Sequence, residues 1–550
     1  MVIEFMGKEL NLKWVSDVIG DDYKKWKKGD IVTIKAQTGT GKTYFIKNVM
    51  IPNIEDYEKI LLVCNRKNLK RQLKKDLFDH YNIPIPKTFK ELDEVSSIGN
   101  VTIMSYQTLA ELKNRKEYGQ GEFDLSMYDY IICDECHFFL SDSGFNNKCD
   151  LAFMELIRGR HINAIKIFIS ATMDEVKTSI IKSVEDIKKV GFGSYSRCNI
   201  HDYDTEIDYS YLDVKYFKKI KDIIQLIKND KTDDKWLIFV TSKDKGNAIV
   251  DELNGICECS FITKDTKIDE CDDLKGIINS SKFNSKVLVC TKAMDNGINI
   301  EDEKLKNIVI MSYDKTTFIQ ELGRIRFDIN DAPIINLYIH TRSYSTFTTL
   351  LEKKIEPTQA KIEEFNTDKV LFNMKYDRNF HELPSNIFIK VKDGNFDINL
   401  NGHARLLKDK YFVEGMIESF KVDKDFAFIK EQLSWLGLED TFDVANLIVD
   451  VISLENADDL EKFLKDSYEN EILYTKEFFV DTINAIIEAD DNLRVLFNKL
   501  DGGNSRSKGA KAYNKLFSNE KINLPYTVGS KKTTLNGIRK NYWMVLFTNN

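Results

Sequence analysis

The 550-residue chain has no run of about 18 apolar residues, so a membrane span is not expected. Its start, MVIEFMGKELNLKW, brings in an acid early and lacks an apolar core followed by small residues, so no signal peptide is expected. The seven histidines include no i, i+4 pair, which argues against a histidine metal site. Nine cysteines are an odd number, and none lies beyond Cys290. Most stand in apolar runs such as LLVC, IIC and VLVC, where cysteine acts as a small buried hydrophobe. That usage fits a reducing cytoplasm and not a disulfide framework. No internal repeat or low-complexity tract is present.

What remains is an ordinary water-soluble composition, 30% charged and 42% hydrophobic, with a length that suggests roughly three to four domains. Net charge is −8 but unevenly spread. Residues 411–500 hold 8 Lys/Arg against 21 Asp/Glu (−13), and residues 501–550 hold 9 against 2 (+7). Either region can be a solvated face or a docking surface.

From about 30 to 175, the apolar runs IVTIKA, KILLVC, VTIM, YDYIIC and AIKIFIS alternate with helical patterns. A connector is expected over about 185–210. Alternation then resumes with KWLIFV, SKVLVC, NIVIMS and INLYIH. Two α/β domains with parallel sheets follow, over 1–184 and 208–346. Beyond 350 the spacing turns helical, which predicts an accessory domain over 350–500, interrupted by the extended SNIFIKV. DGGNSRSKG (501–509) reads as a joint before a small basic segment, 510–550. That segment interleaves cations with Tyr513, Phe517, Tyr526, Tyr542 and Trp543, rings that suit either stacking on unpaired bases or a small core.

After the first run comes AQTGTGKT, Ala36–Thr43, and then a helical pattern. Gly39 and Gly41 let the backbone curl so that the N–H groups of Gln37, Thr38 and Thr40 converge on phosphate oxygens. Lys42 can reach the β- and γ-phosphates, and the Thr43 hydroxyl can ligate Mg2+. The first glycine of the general pattern is Ala36 here. Such a loop requires an acid at the end of another strand, and IICDECHFF supplies Asp134 for the metal and Glu135 for the attacking water. Cys133 and Cys136 in the same stretch form a C-x-x-C, but no second ligand pair or thioredoxin-like context accompanies it, so they are expected as spacers.

AQTGTGKT followed by DECH resembles the superfamily 2 helicases of the DExH/DEAD-box kind, and further motifs occur in that family's order. The resemblance implies two tandem RecA-like domains, ATP with Mg2+, and movement on single-stranded or tailed nucleic acid, DNA more than RNA. NRKNLKRQL is similar to a strand-contacting motif, with Asn65 as helix cap and Arg66, Lys67, Lys70 and Arg71 as cations. Ser105, Tyr106 and Gln107 resemble the next backbone-contacting segment, and Thr241 and Thr291 those of the second domain. His137 with Ser170, Ala171 and Thr172 would couple the nucleotide site to the strand. Asp295 and Gly297 would face the nucleotide, and FIQELGRIRF would supply Gln320, Gly323 and the arginine finger Arg324. In the usual Q-x-x-G-R-x-x-R the last arginine would stand at 327, where this chain has Phe327. On a regular helix i and i+2 point roughly opposite ways, so Arg324 and Arg326 are not expected to reach one γ-phosphate together unless the turn is irregular.

The resemblance covers about 30–345, and its flavour is that of helicases from phages and mobile elements of Gram-positive bacteria. An ATP-gated clamp without unwinding and the motor subunit of a defence or restriction system are the competing expectations, with replication or defence proteins as partners. No membrane partner is expected.

Overall fold

Short aliphatic runs become strands buried on both faces, as a parallel sheet between helices requires. Ile31–Lys35 (β1), Ile60–Cys64 (β2), Ser97–Ile98 (β3), Val101–Ser105 (β4), Tyr130–Asp134 (β5), Ile165–Ser170 (β6) and Ile200–Asp204 (β7) form one sheet in the order β3-β4-β2-β5-β6-β1-β7. All neighbours are parallel except β3 with β4. This computed structural model describes residues 8–64, 67–117, 124–143, 149–158, 163–189, 198–291, 299–391, 393–448, 458–489, 493–494, 496–497, 500, 509–519, 522, 524–535 and 538–548.

The second lobe repeats the plan. Its strands are Leu212–Phe217 (β8), Lys235–Phe239 (β9), Cys259–Ile262 (β10), Val287–Cys290 (β11), Leu305–Ile310 (β12) and Ile335–His340 (β13). Beyond it, Phe388–Lys390 (β14) and Phe396–Ile398 (β15) pair as a small hairpin, and Leu447–Ile448 (β16) returns to lie beside β8. The sheet order is β10-β11-β9-β12-β13-β8-β16. The two expected α/β lobes with largely parallel sheets are therefore present, followed by a mostly helical region.

One expectation changes. The stretch taken as a connector contains an edge strand, β7, held by its pairing with β1 and by a His201–Asp30 contact of 2.9 Å. None of its five residues is buried and two are exposed, so it has no hydrophobic period to read. The chain forms the compact units Met1–Val449 and Asp450–Asn550. Phe347, Phe412, Phe420, Phe428 and Trp435 continue the apolar core of the second lobe, so the first helices beyond 343 are part of that lobe's packing. In the other unit the helices Asp458–Glu469, Lys476–Ala489 and Ala510–Phe517 share one core with the hairpin of Tyr526–Leu535 (β17) and Ile538–Phe547 (β18). Tyr513, Phe517, Tyr526 and Trp543 are buried in that core, and of the five tail rings only Tyr542 is half-exposed. The proposed 501–509 joint lies mostly outside the described residues. No described helix is long and apolar enough to cross a membrane.

Truncating Phe347 to Ala removes the ring around which this aromatic cluster packs. It should cost about 3–5 kcal/mol, read as a lower denaturation midpoint of the second lobe.

Candidate functional site

Adjacent strands bring distant motifs together. Because β5, β6 and β1 are neighbours, the loops at their carboxyl ends carry Asp134–His137, Ser170–Thr172 and Ala36–Thr43 to one edge of the sheet. This is the edge where open α/β sheets bind ligands.

Gly39 (φ +94°) and Gly41 (φ +82°) take the left-handed conformation the loop needs. The loop then enters a helical stretch from Lys42 to Asn53, whose middle, Phe45–Met50, winds as a π-helix. Thr40 is buried, its hydroxyl donating to Gln37 O at 2.7 Å, and Thr43 is half-buried. Lys42 Nζ lies 3.4 Å from Ala36 O and 3.6 Å from Glu135 Oε1. Asp134 is buried, and its Oδ1 accepts from the Glu135 N–H at 3.0 Å. Glu135 stands at φ +51°, a conformation that costs a non-glycine residue energy and turns its side chain toward Lys42.

A chain of contacts leads onward from Glu135. Its Oε2 is 3.3 Å from His137 Nδ1, which also meets Ser170 Oγ at 2.9 Å. Ser170 Oγ accepts from the Thr172 N–H at 3.0 Å. The other ring nitrogen, His137 Nε2, meets Gln320 Nε2 of the second lobe. Ala171 is half-buried beside this relay.

The second lobe reaches the loop directly. A Cβ on Gly323 would come within 2.5 Å of Thr38 Oγ1, so only glycine permits this approach. The helix Lys315–Leu322 ends before the arginines, and Ile325 pairs with Ile300 as an isolated bridge. A regular helix therefore does not set the directions of Arg324 and Arg326, since Arg324 lies in a turn and Arg326 follows the bridge. Arg324 is buried, at 8% exposure, and Arg326 is half-buried with its Nη1 enclosed. Arg326 lines a small cavity with Gln37, Thr38 and Gly39, and its Nη1 has no hydrogen-bond partner. Burial pushes its guanidinium down to about 10, against the pull of Glu135 and Glu301, so it remains a cation at neutral pH.

Residues 8–175 match the family model "Type III restriction enzyme, res subunit", and residues 218–327 match "Helicase conserved C-terminal domain". The chain carries a superfamily 2 helicase motor. It is an ATP hydrolase of the helicase kind. No curated protein matches the chain. Similar solved structures include Dbp5 of S. cerevisiae bound to RNA and ADP BeF3, at 19% identity and TM-score 0.41 over 58% of this chain and 81% of that one. A DEAD box protein from Methanococcus jannaschii gives 16% and 0.34 over 61% and 89%. The Escherichia coli DEAH/RHA helicase HrpB gives 14% and 0.39 over 60% and 42%. Likenesses this loose transfer nothing about substrate.

The helicase's expected strand contacts divide. Tyr106 is wholly buried, stacked on Phe138 at 4.8 Å, and its hydroxyl donates to Asp134 O at 2.9 Å. It has no surface to offer a strand and instead props the end of β5. Ser105 is buried and caps the next helix through Thr108 N at 3.0 Å, whereas Gln107 is exposed. Thr241 and Thr291 line a cavity of about 340 Å3 between the second sheet and the helix Leu400–Asp423. Arg71 is engaged by both oxygens of Asp93, at 2.8 and 2.6 Å, and Lys70 is half-buried. Asn65, Arg66, Asp295 and Gly297 lie outside the described residues, as does the side chain of Lys67. Cys133 and Cys136 are buried with thiols pushed far up by desolvation, and no metal-holding cluster occurs among the described residues.

A helical region was expected over 350–500, but the contacts of its helix Leu400–Asp423 were not. Arg405 Nη2 pairs with Asp314 Oδ2 at 2.6 Å and Nε with Asp409 at 2.7 Å. Asp314 caps the helix that carries Gln320 by accepting from Thr317 N at 2.9 Å. Lys408 pairs with Glu175, which follows Ser170–Thr172 in the first lobe. One helix thus holds both lobes near their motifs. No sequence signal could reveal a pair that spans 91 residues.

Tyr106→Phe removes one buried hydrogen bond. It should lower stability by about 1 kcal/mol in denaturant titration. Single-strand affinity and its salt dependence, read by fluorescence anisotropy, should stay at wild-type values.

Proposed function

We propose that the chain is an ATP-driven helicase or translocase that moves on single-stranded or tailed nucleic acid, with DNA as the preferred polymer, in the cytoplasm. The observation that carries the reading is the unbroken series Lys42–Glu135–His137–Gln320, which runs from the glycine loop of one lobe into the other. In this reading the loop N–H groups and Lys42 hold the triphosphate, and Glu135 takes the proton of the attacking water. Thr43 and Asp134, an oxygen pair suited to a hard divalent cation, would hold Mg2+. That ion would neutralise charge on the β- and γ-phosphates. Arg326, half-buried beside Gln37–Gly39, is the better placed of the two arginines to supply a cation from the second lobe, with Arg324 beside it in the chain. Asp295 and Gly297 would complete the cleft.

His137 and Ser170–Thr172 then pass the state of the site to the strand path, where Gln107, Thr241 and Thr291 would meet phosphates and sugars. Such contacts carry no base information, so binding should be sequence-independent. The DECH spelling favours the DExH kind, and the match to a restriction-enzyme model favours DNA and keeps a defence-system motor as the second reading.

Lys42→Ala and Glu135→Gln should each abolish ATP turnover, and single-stranded DNA should stimulate the wild type more than RNA, duplex or no polymer. A phosphate-release assay checks both. Normal turnover in either variant would refute the site, and hydrolysis without separation of a tailed duplex would favour the clamp.

A further inference from the structure

One loop side chain is turned toward the connector between the lobes. Gln37 is buried, and its amide spans both main-chain groups of a single residue in the connector between the lobes. Its Nε2 donates to Asp208 O at 3.0 Å, and its Oε1 accepts from Asp208 N at 2.8 Å. Neighbouring bonds hold the same segment. The Gln37 N–H donates to Thr205 Oγ1 at 3.1 Å, and Thr205 N donates to Lys35 O at 3.0 Å. Asp208 in turn accepts from Asn11 N at 2.7 Å and Ser210 N at 2.9 Å. β7 ends at Asp204 and β8 begins at Leu212, so the segment fixed here is the connector that joins the two sheets.

We infer that Gln37 is a positioning residue, a latch that ties the interlobe connector to the glycine loop so that a change in the loop's curl is transmitted to β8. The chemistry of the side chain supports this. Holding phosphate asks only for the Gln37 N–H, and that group is already committed to Thr205. Only a long primary amide can both donate to and accept from the main chain of one residue. Thr38 and Gly39, next in the loop, lie against Gly323 and Ile329 of the second lobe. The latch therefore acts at the point where the lobes already meet. This inference deepens the proposed function and rests on it.

The test uses the full chain with Gln37→Ala, which removes both bonds, and Gln37→Glu, which keeps the acceptor for Asp208 N–H. Two quantities are read: affinity for a fluorescent ATP analogue, and the ratio of turnover with saturating single-stranded DNA to turnover without it. The ratio should fall by about tenfold or more, the size of an ordinary coupling between sites, while nucleotide affinity falls by no more than about threefold. An unchanged ratio, or a loss of affinity with the ratio intact, overturns the latch; the second result makes Gln37 a nucleotide contact. Gln37→Glu decides the matter if Gln37→Ala does not fold. Lys42→Ala, assayed alongside, separates the two levels. Turnover surviving that change, or a wild type that no strand stimulates, removes the functional reading and the latch with it. A dead Lys42→Ala beside an unchanged Gln37 ratio removes the latch alone.

Discussion

Everything in the motor depends on the glycine loop serving two neighbours at once. Gly39 and Gly41 let it curl, and the curl presents residues 37, 38 and 39 outward to the connector, to Gly323 and to Ile329. The interface between the lobes is thus built on the element proposed to hold the phosphates. A loop that only bound nucleotide would not need its glycine neighbour in the other lobe to lack a Cβ. Here the 2.5 Å approach to Thr38 requires it. The same geometry brings a half-buried cation, Arg326, beside the loop without a helix to aim it.

The second support lies on the opposite side of the cleft, where Leu400–Asp423 reaches both lobes. Its Arg405 fixes the cap of the Gln320 helix, and its Lys408 meets the helix that follows Ser170–Thr172. Two acids keep the Arg405 guanidinium charged despite its burial, and breaking such a pair from one side is costly. The helical region is part of the motor's frame. The cavity beneath it is lined by Thr241 and Thr291.

The sequence made the centre of the fold legible and not its margins. Strands such as β2, β5, β6, β9 and β12 are buried almost throughout, and an unbroken aliphatic run announces them. β7 and β10 are partly exposed edge strands without such runs, and their identity comes from pairing partners far along the chain. That Lys42, Asp134 and Glu135 lie together was legible, because their spacing relative to strand ends places them there. The burial of Tyr106 is invisible in a motif, and so is the end of the helix at Leu322, ahead of the arginines. Gln37 and Arg405 act through residues 171 and 91 positions away, and no local pattern encodes that.

The most direct measurement is single-molecule energy transfer between dyes on the two lobes of the motor, followed with ATP, with a hydrolysis-resistant analogue, and with single-stranded DNA. If the lobes share one triphosphate, the analogue should lock a single high-transfer state, and ATP with DNA should give cycling at the turnover rate. Transfer that stays constant while ATP is hydrolysed would contradict the account.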